Sequence, residues 1–173
     1  MSVVARRREA LEALARDALG GPGRVVPLPA DYAQGEALVE AIRTRCDEAG
    51  PTSAAAAWIH STAPDAALRA ARALAAAAAP GTVDFVHVLS RVRTADPRAF
   101  SVRAPAPEEA ALLAVPGVRY RRAILGWVLE PRGPRWLSDE EIAAGVIGAL
   151  DSGAPLTAIG RVDPVESSPS GEG

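Results

Sequence analysis

The sequence predicts an α/β fold with helices on both faces of a doubly wound, mainly parallel sheet. Three observations carry that expectation. Short β-branched or apolar runs alternate with longer Ala/Leu/Glu/Arg segments of helical period along most of the chain. The segments between successive strands are long enough to cross over and return parallel. The apolar fraction is 49%, yet aromatics make up only 4% and alanine supplies much of the rest, which suits helices packed closely on a sheet. A chain of 173 residues can bury one substantial core and is short for two.

The elements follow in order. SVVA (2–5) is a strand, and RREALEALARDAL (7–19) a helix with Leu11, Leu14 and Ala15 on one face, ended by the glycines and proline at 20–23. RVVPLPA (24–30) is a second strand. QGEALVEAIRTRCDEAG (34–50) is a helix that aligns Leu38, Ile42 and Cys46. SAAAAWIHS (53–61) is a continuously apolar third strand, expected to be buried on both faces as parallel strands are. PDAALRAARALAAAAA (64–79) is a third helix, with Pro64 near its start.

TVDFVHVLS (82–90) is a fourth strand, with His87 in its middle and expected to be buried there. Residues 91–116 are polar and arginine-rich, with three prolines from Pro97 to Pro107, and are expected to form a loop with one short helix. VRYRRAILGWVLEP (118–131) is expected as one long fifth strand. SDEEIAAGVIGALDSG (138–153) is a helix opened by the capping box Ser138-x-x-Glu141, and LTAIGRV (156–162) is the last strand. The expectation is one three-layer, Rossmann-like domain over 1–164, with 165–173 as a low-complexity, disordered tail.

Composition excludes several functions. The net charge is −2 with acids and bases interleaved, so nothing draws the chain to nucleic acid or an anionic membrane. The apolar run ALAAAAA is too short and too weakly hydrophobic to span a bilayer, and a cytoplasmic protein is expected. All 19 basic residues are arginine, so no step that needs a lysine can operate in this chain. Cys46 is the single cysteine, so no internal disulfide forms, and two histidines without a carboxylate cluster make no convincing metal site.

The blocks SVVARRREALEALARDAL and RVVPLPADYAQGEALVEAI resemble the short-chain dehydrogenase/reductase family from its second strand onward. GVRYRRAILGWVLEPRG resembles that family's sixth strand and Pro-Gly turn. RWLSDEEIAAGVIGAL with TAIGRVDP resembles its last helix and closing strand, so the likeness runs over nearly 2–164. The resemblance implies that the family's first strand and its glycine-rich phosphate loop would precede SVVA. No such glycine pattern stands there, and the fold is expected to be truncated at its N-terminus relative to the family.

The same resemblance assigns candidate residues. Arg6 and Arg7 end the first strand, where the family's NADP-preferring members carry an arginine; a guanidinium suits bidentate contact with a 2′-phosphate. Arg8 is a weaker candidate. The three cations also oppose the dipole of the helix that follows, which calls for a compensating anion. Asp31 takes the place of the family's adenine-contacting aspartate. His60 and Ser61 stand in WIHS, where the family has Asn-Asn-Ala-Gly beside the nicotinamide ribose. Ser90 takes the catalytic serine's place, and Tyr120 is the remaining candidate for polarising a carbonyl.

The family's Tyr-x-x-x-Lys pair is absent. The lysine of that pair lowers the phenol's pKa, so the usual proton shuttle is not expected here. The expectation is therefore a divergent NADP- or NAD-linked oxidoreductase acting on a small carbonyl or hydroxyl substrate, its chemistry unusual or lost. The alternative is a non-catalytic scaffold or regulatory subunit that completes its sheet with a partner chain or a second copy.

Overall fold

A computed structural model describes residues 1–59, 62–90 and 107–162. The elements are β1 (Ser2–Ala5), α1 (Arg8–Asp17), β2 (Val26–Pro29), α2 (Gly35–Ala49), β3 (Ala54–Trp58), α3 (Ala66–Ala78) and β4 (Val83–Ser90). They continue as α4 (Pro107–Leu113), β5 (Val118–Leu125), β6 (Trp127–Glu130), β7 (Gly133–Trp136), α5 (Asp139–Ser152) and β8 (Leu156–Ile159). The expected α/β alternation is present. A parallel four-stranded sheet has the order β3-β4-β5-β8, β1 and β2 form a parallel pair, and β6 and β7 an antiparallel hairpin. Among the described residues, no helix is long and apolar enough to cross a membrane.

The chain divides into two compact units. The first holds β1, β2, α1 to α4 and the starts of β3, β4 and β5. Its strand pair shows how sequence sets position. Val26 and Ala30 donate their N–H groups to the carbonyls of Met1 and Ala5 at 2.9 and 3.1 Å. Backbone polarity alternates along a strand, so the nitrogens of Pro27 and Pro29 face away from β1, where no donor is needed. The Arg45 Nε donates to Ser2 Oγ at 2.9 Å and ties α2 to β1.

Helices α2 and α3 pack on each other through small and branched side chains. Leu38, Ile42 and Cys46 are buried at successive turns of α2, as their spacing predicts. In α3, seven residues from Ala66 to Ala75 are buried, and all but Leu74 are alanine. Side chains this small let the backbone approach its neighbours closely and lose almost no rotamer entropy on burial. Phe85, Val83 and Leu112 are fully buried and supply the bulk that alanine lacks.

The second unit holds the ends of β3, β4 and β5 with β6, β7, α5 and β8. Its core joins Val86 and Val88 of β4, Ala123 and Leu125 of β5, Leu137, both Ile142 and Ala149 of α5, and Ile159 of β8. The capping box is formed: the Glu141 N–H donates to Ser138 Oγ at 3.2 Å, and the Ser138 N–H donates to Glu141 Oε2 at 2.8 Å. Arg135 closes over it, donating to both Glu141 oxygens at 2.8 and 2.9 Å and to Glu130 Oε1 at 2.6 Å. The Arg135 guanidinium, then the Ser138 backbone, hold the Glu141 carboxyl at about 2, well below the usual carboxylate value.

Two expectations are corrected. The strand SAAAAWIHS is not buried on both faces: Ala54, Ala56 and Trp58, which share one face because side chains alternate along a strand, are exposed, and among the described residues β3 is an edge strand paired with β4. The segment 118–131 is not one strand. It breaks at Gly126 between β5 and β6, and β6 folds back on β7, pairing Trp127 with Trp136. A Cβ at Gly126 would collide with the backbone of Arg161. Gly160, at φ +77°, ends β8 early and turns Arg161 so that it bridges Trp127 in both directions, at 3.0 and 2.8 Å.

Candidate functional site

The carboxyl ends of β1 and β2 come together because the pair is parallel and in register, with Ala5 opposite Pro29. The residues just beyond these ends are the arginine run and Asp31-Tyr32. Arg6 follows β1. Arg7 is the N-cap of α1 in an extended conformation, with no side-chain cap, and Arg8 opens the helix. Among the described residues, Arg6, Arg7 and Arg8 have no carboxylate partner. All three are exposed, and they stand at the positive end of the α1 dipole, which is itself a place for an anion.

Beyond β2 the chain turns at once. Asp31 Oδ1 accepts the Ala33 N–H at 3.0 Å, and the Asp31 carbonyl accepts the Gln34 N–H at 2.9 Å, a local bond that aspartate favours. The turn sets the half-buried Tyr32 ring under Arg6, whose guanidinium carbon lies 5.8 Å from the ring centroid. The structure therefore gathers Arg6, Arg7 and Asp31 in one place. It also adds Tyr32, which is not among the residues expected from sequence. The signal was present in its position directly after Asp31, but which way the ring turns depends on the tertiary turn. Unpaired cations, an aromatic face and a carboxylate with one oxygen spare can recognise a phosphate and a planar base together.

The remaining candidates lie elsewhere. His60 and Ser61 fall outside the described residues. Ser90 is the last residue of β4 and is exposed. Tyr120, the third residue of β5, is only 8% exposed, and its hydroxyl lies 3.2 Å from Nδ1 of the equally buried His87. The hydroxyl that was expected to polarise a carbonyl is engaged inside the second unit, three residues of β4 before Ser90.

No protein-family model and no curated protein matches the sequence. Solved structures do. A short-chain dehydrogenase from Mycobacterium smegmatis aligns with a TM-score of 0.65 at 16% identity, covering 92% of this chain and 80% of that one. A short-chain dehydrogenase/reductase variant from Serratia marcescens aligns with a TM-score of 0.64 at 18% identity, covering 92% and 84%. A gluconate 5-dehydrogenase from Burkholderia cenocepacia, solved in complex with NADP and tartrate, aligns with a TM-score of 0.64 at 15% identity, covering 92% and 83%. With its parallel strand order and this likeness, the chain has the fold of the short-chain dehydrogenase/reductases.

Proposed function

We propose that this chain binds NADP through the carboxyl ends of β1 and β2 and is a divergent oxidoreductase of small carbonyl or hydroxyl compounds. One observation carries the reading: Arg6 and Arg7 are exposed, without carboxylate partners, beside Asp31 and an aromatic ring at the ends of two parallel strands. Parallel α/β sheets bind ligands at their carboxyl ends. Similar folds solved with NADP, including a metagenomic short-chain oxidoreductase, point the same way.

The residues present fit the adenosine half of that cofactor. Arg6 and Arg7 would hold the 2′-phosphate, and Asp31 would accept from the adenine amino group. His60 and Ser61 are the residues proposed for the ribose and nicotinamide side. A bound nicotinamide supplies hydride chemistry; the chain's own part is to orient the cofactor and polarise the substrate oxygen. Ser90 suits that last role, because its hydroxyl stands exposed at the end of β4. The Tyr120 hydroxyl is proposed to act only from its buried place beside His87. The sequence offers no lysine to assist it.

Titrating the purified chain with NADPH and with NADH, read by nucleotide fluorescence and thermal shift, tests the reading. Tighter binding of NADPH than of NADH is expected. A folded chain that binds neither removes it.

A second reading has its own observation. Among the described residues, the strands β1 and β3 each have a neighbour on one side only, and β3 leaves Ala54, Ala56 and Trp58 exposed. Unpaired edges invite further strands, so a scaffold that completes its sheet with a second copy or another protein is the alternative. Sedimentation that finds a strict monomer counts against self-pairing, and reproducible carbonyl reduction removes the non-catalytic reading.

A further inference from the structure

We infer that Tyr32 is a positioning residue: its ring holds the Arg6 guanidinium in place to discriminate a 2′-phosphorylated adenosine from one without that phosphate. The inference rests on the NADP reading above and adds a residue to it. Arginine side chains lose much rotamer freedom when they bind, and an exposed guanidinium with no partner would have to be ordered by the ligand itself. Arg6 follows β1 directly and is exposed. What limits its freedom is the face of Tyr32, 5.8 Å away, rather than a carboxylate.

The chemistry of that arrangement is selective. An acidic partner would neutralise the cation and compete with a phosphate, whereas an aromatic ring attracts one face of the guanidinium and leaves its charge unpaired. The ring accepts none of the guanidinium's N–H bonds in the way a carboxylate would, so the bidentate donors stay available to a phosphate. Tyr32 can take this place because Asp31 bonds its own turn: the Ala33 N–H to Asp31 Oδ1 and the Gln34 N–H to the Asp31 carbonyl fix the backbone on either side of it. Asp31 and Tyr32 thus divide the work, the first shaping the turn and the second aiming the cation of the neighbouring strand.

Isothermal titration of the full chain with adenosine 2′,5′-bisphosphate and with adenosine 5′-monophosphate tests this, using wild type, Tyr32→Leu, Tyr32→Phe and Arg6→Gln, with thermal unfolding as a check on folding. Wild type is expected to prefer the bisphosphate. Arg6→Gln should remove most of that preference. Tyr32→Leu should cut it about two- to fivefold, the ratio that corresponds to an exposed cation–π contact, and Tyr32→Phe should keep it. A merely structural Tyr32 would weaken both probes alike and leave their ratio unchanged. If Arg6→Gln abolishes the preference while Tyr32→Leu retains it in full, the positioning role is overturned and the NADP reading stands. If wild type binds both probes equally, the 2′-phosphate reading itself fails, and the role of Tyr32 fails with it.

Discussion

The Arg121 guanidinium donates to the Leu150 carbonyl at 3.0 Å, so a cation from β5 caps the C-terminal end of α5. Its Nη1 also approaches the Ala149 carbonyl at 3.5 Å. The last turn of α5 has no basic residue of its own, and the helix ends at Gly153 with φ +69°. Free carbonyls and the negative end of the dipole gather there, and a buried arginine from the sheet answers both.

Arg121→Met should therefore destabilise the fold although it keeps an apolar stem of similar length. The expected loss is about 2 kcal/mol, the scale of a charge-assisted hydrogen bond combined with a partly buried helix-end charge. Urea unfolding measures it, and an unchanged midpoint would mean that other donors replace the guanidinium.

At the opposite end of α5, stability should depend on acid. The Glu141 carboxyl titrates at about 2 in the fold against an ordinary 4.5, so its folded pKa is depressed. A depressed group contributes fully above its unfolded value and loses that contribution as pH falls through its folded one. Glu141→Gln should melt below wild type at pH 7, and the difference should close between pH 4.5 and about 2. Ser138→Ala, which removes the other half of the box, should cost about 1 kcal/mol at pH 7.

Gly126 gives a prediction whose sign separates two structures. In a continuous strand over 118–131, Gly126→Ala would stabilise by about 0.5–1 kcal/mol through a lower chain entropy. In the observed fold the new Cβ meets the Arg161 backbone, so the change should destabilise by about 3 kcal/mol. Thermal or urea unfolding decides between them.

Replacing Arg6 and Arg7 together by alanine should weaken NADPH at least tenfold while NADH changes little, because removing a charge-assisted phosphate contact costs on the order of 1.5–3 kcal/mol. Fluorescence titration at two salt concentrations measures it. Equal losses for both nucleotides would refute the 2′-phosphate role.

Ser90 and Tyr120 should separate in their effects. Ser90→Ala changes an exposed side chain at a strand end and should lower turnover of a panel of small ketones without moving the melting temperature. Tyr120→Phe deletes a buried hydroxyl bonded to His87 and should cost about 1 kcal/mol of stability. A large effect of Tyr120→Phe on turnover with stability intact would give that hydroxyl a role in the reaction.

Much of this molecule is determined by sequence alone, because the deciding forces are local. The four-residue spacing of Leu38, Ile42 and Cys46, close to one helical turn, buries one face of α2, and Ser138 with Glu141 can satisfy each other only at a helix start. Pro27 and Pro29, which lack N–H groups, occupy the outward-facing positions of a strand beside a single neighbour. The arginines after β1 and Asp31 after β2 stand at strand ends for the same local reason.

Only the tertiary structure decided the rest. An alanine-rich strand has the same local pattern whether one face or both are covered; what packs on each face of β3 settles its exposure. The run through Gly126 has the composition of one strand, and it breaks because the Arg161 backbone, distant in sequence, occupies the space beside it. Tyr32 beneath Arg6, His87 against Tyr120 and Arg121 on the end of α5 join residues 26 or more positions apart. Such contacts depend on how packed elements converge in space, and no periodicity along the chain encodes them.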